Sequence, residues 1–422
     1  MVYTKKYKNT QKHKTTKTQK HKTTKTQKHK NTKTQNHKNT KTQKHKNTKT
    51  YEIPEIDKDI QAIIDVGAIK HNINFLKQQS GTDLMVVLKS NAYGHGIIEI
   101  SKIIRKMDIK YIGVATVGEA ILLRNSGDKG RILAWLYNIN GNELIDAFHM
   151  DIDIAIYDET TIHQFIDLIP PNKKIKITIF VDTGMNRTGV SYDNAIELFK
   201  IVNKCPKIEL IGMMSHLVCS HVKNSPIVKE QLYKFRKLRQ ELFTIGINPP
   251  LVHIADTCAC INYDVSDFTL ARPGIGCFGI FGSNTKIYEK GLKLAMSLKT
   301  RIIQIKSLEK NKGIGYDWKY ITSRKMKICI LPIGYADILS RNTSYPLTVY
   351  INGTKRKILG LLNMDQVVVE AKKKDKLNDE VYLFGNGQNC SQTIYDIARI
   401  SNTIPAEILS HTGYRIAREY KN

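Results

Sequence analysis

Between Thr10 and Thr50 the chain has no acidic residue, no arginine and no apolar side chain. Such a segment cannot bury enough surface to offset the entropy of ordering, so residues 1–52 are expected to form a disordered tail. Nowhere does an apolar stretch approach the roughly 20 residues of a transmembrane helix. The N-terminus also lacks the apolar run of a secretory signal. Both absences point to a cytoplasmic protein. Seven cysteines, an odd number spread over 422 residues, argue against a disulfide framework. Cys258 and Cys260 stand one residue apart, but no second pair completes a zinc-ligand pattern, so no metal is expected.

What the tail does contain is lysine. The first 50 residues hold 17 lysines and no acidic residue, so of the formal charge of +28, 28 less 17 leaves +11 on the rest. From Thr10 an eight-residue unit repeats, TQKHKTTK twice and then TQKHKNTK, TQNHKNTK and TQKHKNTK. Eight residues are too few for a solenoid unit with its own buried face. A lysine comb of this kind binds polyanions weakly and without sequence preference; the plainer reading is a tandem expansion with no selected role. No specific nucleic-acid or membrane partner is expected.

Beyond the tail, 41% hydrophobic content suffices for a full core, and the length suits two domains. Short apolar runs at 84–88, 111–116, 132–137, 152–157, 175–181, 210–215, 251–254 and 268–271 alternate with amphipathic stretches. Ile69, Ile73 and Leu76 mark one helix; Ile97, Ile100, Ile104 and Met107 mark another. Eight buried strands alternating with helices predict an α/β fold, a (β/α)8 TIM-type barrel over residues 57–292. In such barrels functional side chains sit at the C-terminal strand ends. After about residue 292 the pattern changes to short strands and tight turns, at 297–305, 326–332, 347–351, 367–370 and 381–384. Residues 293–422 are therefore expected to form a smaller, mainly β domain with terminal helices near 391–401 and 404–410.

The chemistry-bearing blocks appear in a fixed order. They read VVLKSNAYGHG from Val86, VDTGMNRTGV from Val181, SHL from Ser215, HIADT from His253 and ARPGIGCFGIFG from Ala271. GIGY from Gly313, LPIGYADILSR from Leu331, NMDQ from Asn363 and TIPAEILSHTGYR from Thr403 follow. A lysine at the end of the first barrel strand is by itself weak evidence of function. Nine blocks in order over roughly residues 60–420 resemble the alanine racemase family of pyridoxal 5'-phosphate enzymes.

That resemblance implies an isomerase that interconverts L- and D-alanine and supplies D-alanine for peptidoglycan precursors. Side chains alone cannot remove so weakly acidic an α-proton at neutral pH, and the cofactor is the electron sink. Lys89 would carry the cofactor and act as base on one face. Tyr316, from the second subunit of a homodimer with shared active sites, would stand on the other. A free phenol is a poor base, with a pKa near 10, so His216 and Arg272 are expected to lower it. Arg272 would face the cofactor's ring nitrogen, where a guanidinium cannot give up its proton. Tyr93, His216, Thr257, the backbone at Gly274 and Ile275, and Tyr414 would complete the cofactor site. Arg187 and Met364 would meet the substrate carboxylate, and Tyr335, Asp337, Arg341 and Asp365 would line or support the entrance.

Departures from the family pattern bear on substrate range. Phe180 replaces a lysine that is carbamylated in many members, Leu361 an entrance arginine, and His221 an entrance acid, while Asp256 stands where asparagine is commoner. A bulky Tyr414 favours alanine over serine by size, a modest filter of ~1–3 kcal/mol per methylene-sized change. The alternatives are a serine or broad-specificity racemase and, remotely, a lysine-rich nucleic-acid binder with an inactive racemase-like domain. The glycine triplet and cysteine motif of barrel decarboxylases are missing, and stand-alone cofactor-carrier barrels lack a β domain.

Overall fold

The computed structural model describes residues 59–282, 291–344, 346–387 and 389–422. The expected tail at 1–52 lies outside the described residues. Eight strands form one parallel sheet: β1 (Asp83–Val87), β2 (Tyr111–Thr116), β3 (Arg131–Leu136), β4 (Asp153–Ile156), β5 (Ile175–Asp182), β6 (Ile208–Met214), β7 (Leu251–His253) and β8 (Leu270–Ala271). The path runs from β1 to β7 in chain order, with β8 returning beside β1. Among the described residues β7 and β8 share no ladder, but Thr269 N donates to Val252 O at 3.0 Å and Arg272 N to Ala255 O at 2.7 Å. These bonds bring the barrel close to closure, the α/β fold that the alternating runs predicted.

Alternate residues of the strands fill the interior, where Met85, Leu133, Ala155, Phe180, Met214 and Leu270 pack together. The other face of the strands meets the surrounding helices in the main core. Helix Val66–Ser80 precedes β1 and packs against the short turns that follow β7 and β8. It is started by Asp65, whose carboxylate accepts from Ala68 N at 2.7 Å. It ends at Gly81, whose φ of 65° reverses the chain. Asn72, buried on this helix, accepts from Lys293 N and donates to Lys293 O, both at 2.7 Å. It thereby ties the helix to the segment leaving the barrel.

The second domain holds a six-stranded sheet in the order Thr354–Lys357, Thr348–Ile351, Glu380–Phe384, Met296–Arg301, Gln61–Asp65, Ala417–Lys421. A three-stranded antiparallel sheet joins Gln304–Leu308, Met326–Leu331 and Val367–Glu370. Three expectations change here. The strand Gln61–Asp65, which precedes the barrel in sequence, belongs to the sheet of the second domain. The run at 297–305 is two strands, because Ile302 N bonds to Asp379 O in one sheet and Ile303 N to Ile330 O in the other. Helices Ile394–Ile400 and Pro405–Ser410 are not terminal, since the chain ends in the strand Ala417–Lys421. A polar, charged strand such as AREYK carries no apolar run by which to recognise it.

Candidate active site

Every barrel strand that carries a candidate residue delivers it at its C-terminal end. Lys89 follows β1, Arg187 lies in the loop after β5, His216 follows β6, Thr257 follows β7 and Arg272 follows β8. All five line one cavity of about 440 Å³, together with Tyr93, Gly274 and Ile275. The volume lies within the usual range for a site that encloses a small cofactor.

Lys89 opens a turn in which Ser90, Asn91, Ala92 and Tyr93 all have φ between 51° and 54°. The turn is a short left-handed helix. Glu119 holds its start, with one carboxylate oxygen accepting from Ser90 N at 2.6 Å. The other caps Glu119's own helix, Val117–Asn125, by accepting from Ala115 N and Thr116 N. Burial is the main cause that lowers the Lys89 pKa, and the positive charge of Arg187 lowers it further. The lysine therefore holds more of its neutral, nucleophilic form than a free amine would.

Arg272 is fixed on three sides. Its Nη1 donates to His253 O at 2.6 Å and to His253 Nδ1 at 2.8 Å, and its Nη2 donates to Ser215 O. His216 is depressed to about 4, first by burial and then by the cations Arg272, Arg187 and Lys89, against the opposing pull of Asp256. Gln231, buried on helix Pro226–Thr244, holds the loop by donating to His216 O at 3.1 Å and accepting from Val218 N at 3.0 Å. Asp182 shapes the loop of Arg187, its carboxylate accepting from the backbone N–H of Gly184, Met185 and Arg187.

One end of the cavity gathers the Thr257 and Tyr93 hydroxyls beside Gly274. Thr257 Oγ1 accepts from Gly274 N at 3.2 Å and Gly276 N at 3.1 Å, drawing two short turns together. The Tyr93 hydroxyl lies against Gly274 so closely that any β-carbon there would overlap it. The Thr257 and Tyr93 hydroxyls meeting over a glycine that leaves room beside them match the needs of a phosphate. With an amine at a strand end and a guanidinium across the cavity, the residues present fit pyridoxal phosphate.

A single chain does not bring the remaining candidates into the cavity. Tyr316 is 66% exposed, Met364 52% and Tyr414 83%, all on the second domain. Tyr335 N donates to Asn363 O and Ala336 N to Met364 O, so the 335 and 364 segments form one surface. Arg415 joins Asp337 and Asp365 behind it, at 3.0 and 2.6 Å. Arg341 is exposed. Trp135, Met214 and Ile280 also line the cavity, as do Ile404 and Ala406 from the second domain. Strand alternation could have found Trp135 and Met214. Nothing local marks Ile404 or Ala406.

The model for the alanine racemase N-terminal domain matches residues 64–281, and that for the alanine racemase C-terminal domain matches 295–420.

The chain belongs to the alanine racemase family.

It is 32% identical to alanine racemase 2 of Caldanaerobacter subterraneus over 85% of this chain and 93% of that protein. It is 31% identical to the alanine racemase of Mycobacterium leprae over 86% and 95%. The crystal structure of alanine racemase from Streptomyces lavendulae superposes with a TM-score of 0.81 at 28% identity, covering 87% of this chain and 98% of that one. A Bacillus anthracis alanine racemase with bound L-Ala-P gives 0.80 at 26% identity, covering 87% and 96%. Members of the alanine racemase family are isomerases, and the barrel with its β domain is the arrangement this chain shares with them. Among its described residues no helix is long and apolar enough to cross a membrane.

Proposed function

We propose that this alanine racemase family member interconverts L- and D-alanine by moving a proton between the two faces of the α-carbon. Lys89 serves one face and Tyr316 of the partner subunit the other. The observation that carries this reading is the split of the candidates. Eight gather in one cavity, while Tyr316 and Met364 stand exposed on the second domain. A site completed by a second copy of the chain accounts for both sets.

Pyridoxal phosphate, when bound, supplies the electron sink that makes α-proton removal possible. Tyr93, Thr257 and the backbone at Gly274 and Ile275 would hold its phosphate, Lys89 its aldehyde carbon and Arg272 its ring nitrogen. A guanidinium keeps its own protons, so Arg272 would hold the ring nitrogen without protonating it. Arg187, with Met364 of the partner subunit beside it, would bind the substrate carboxylate. Lys89 Nζ takes the proton on its face, favoured by the depressed pKa of the amine. The phenol oxygen of the partner's Tyr316 does the same on the opposite face. Tyr414 would meet the phosphate and narrow the space left for the substrate side chain. We place the activity in the cytoplasm, where D-alanine would feed cell-wall precursor synthesis.

The test is D-alanine formation from L-alanine by the purified chain supplied with pyridoxal phosphate. Turnover that collapses in Lys89→Ala is expected. Serine turned over faster than alanine would reassign the substrate.

A further inference from the structure

The turn that carries Lys89 has a backbone its own residues do not favour. Four successive side-chain-bearing residues, Ser90 to Tyr93, lie in the left-handed region, where even single residues are uncommon. Local bonds brace it: Ala92 N donates to Leu88 O at 2.8 Å, Gly94 N to Ser90 O at 3.0 Å and Ile97 N to Asn91 Oδ1 at 2.8 Å. The carbonyls at its exit are met from the other end of the chain. Arg418 Nε donates to Gly94 O at 2.8 Å, and the Tyr420 hydroxyl donates to His95 O at 2.8 Å.

The clamp is anchored on its own side. The same guanidinium donates to Thr412 O at 2.9 Å and Ile416 O at 3.1 Å. Strand Ala417–Lys421 is fixed in register beside Gln61–Asp65, with Arg418 opposite Ala62 and Tyr420 opposite Ile64. Residues two apart on a strand share a face, so Arg418 and Tyr420 both reach the turn while Glu419 and Lys421 are exposed. The approach leaves no spare room. A β-carbon on Gly94 would overlap the Leu409 carbonyl and one on Gly96 the Tyr420 hydroxyl.

We propose that Arg418 and Tyr420 are positioning residues: the last strand of the chain clamps the left-handed turn and thereby keeps Lys89 aimed into the cavity. The inference rests on the reading of Lys89 as the cofactor-bearing lysine. A strained backbone persists only where its surroundings over-determine it. Neither side chain lines the cavity, so removing a donor from the Gly94 or His95 carbonyl acts on the site only by shifting the turn toward open states.

The experiment is hydrogen–deuterium exchange on the full chain without cofactor, in wild type, Tyr420→Phe and Arg418→Gln. Borohydride trapping of pyridoxal phosphate on Lys89 and cofactor titration accompany it. Tyr420→Phe deletes one hydroxyl and keeps the ring packed. It is expected to speed exchange at Ala92, Gly94 and Gly96 by roughly 3- to 10-fold, the range for one lost hydrogen bond. Strand β5 is expected to stay unchanged, and cofactor affinity to fall by a similar factor. Arg418→Lys keeps the charge but not the fork of donors, and is expected not to rescue Arg418→Gln. Unchanged exchange in residues 90–96 overturns the clamp, and so does a rise spread evenly over the barrel. Should the turn respond while wild type is not trapped at Lys89, the clamp stands and the reading of Lys89 fails.

Discussion

Arg272 donates a guanidinium N–H to Nδ1 of His253 at 2.8 Å, which obliges that histidine to carry its proton on Nε2. Guanidinium has donors only, so Nδ1 must offer a lone pair. The pair fixes both the tautomer and the direction of the arginine. Lysine at 272 could not reach His253 and Ser215 together. Arg272→Lys is expected to lower turnover by about 10²-fold or more, the scale for losing one aligned donor at a reacting centre. Cofactor content measured alongside separates lost chemistry from lost binding, and near-wild-type turnover would refute the assignment.

Gly274 is required for a steric reason. Gly274→Ala places a methyl group on the Tyr93 hydroxyl, so either Tyr93 or the phosphate cradle must move. Cofactor affinity is expected to weaken by about 10-fold or more, since a buried overlap costs roughly 1–3 kcal/mol. Absorbance titration with pyridoxal phosphate reads the change, and circular dichroism checks that the barrel survives.

The proposed sharing of active sites between two copies of the chain makes a complementation prediction. Lys89→Ala and Tyr316→Phe are each expected to be nearly inactive alone. Mixed dimers of the two hold one site with both wild-type bases, so coexpression should restore activity to roughly a quarter of wild type, on the statistics of random pairing and symmetric assembly. No recovery on mixing would place both bases in one chain.

Acid should destabilise the protein through three histidines. Burial depresses His95 to about 3 and His216 to about 4, and pulls His253 well below its usual 6.5. As pH falls below about 6.5 the unfolded chain takes up these protons and the folded one does not. Each site then removes up to about 1.4 kcal/mol of stability per pH unit. Asp153 works the other way. Burial raises it to about 6, so below that pH the folded state binds one extra proton and offsets one of the three. Thermal unfolding of the cofactor-free chain from pH 7.5 to 5 should show Tm falling with acid, less steeply in His95→Gln. Equal slopes would refute the buried-histidine account.

Much of this molecule could be read from its order of residues. Continuous apolar runs between amphipathic stretches specify strands buried on both faces, and eight of them leave a closed parallel barrel as the simple solution. The blocks around Lys89, Arg187, His216, Thr257 and Arg272 were legible because each is short and sits at a strand end. Chain order, however, holds no record of which distant segments meet. The strand Gln61–Asp65 lies in the sheet of the second domain because its partners are residues 296–301 and 417–421, far away in sequence. Ile404 and Ala406 reach the cavity, and Arg418 and Tyr420 reach the Lys89 turn, only because the two domains pack together. The residue types fixed the chemistry available at each strand end. Tertiary packing decided which carbonyls Arg418 and Tyr420 would hold and how a strained turn keeps its shape, because hydrogen bonds between residues more than 300 apart exist only once the fold has brought them within 3 Å.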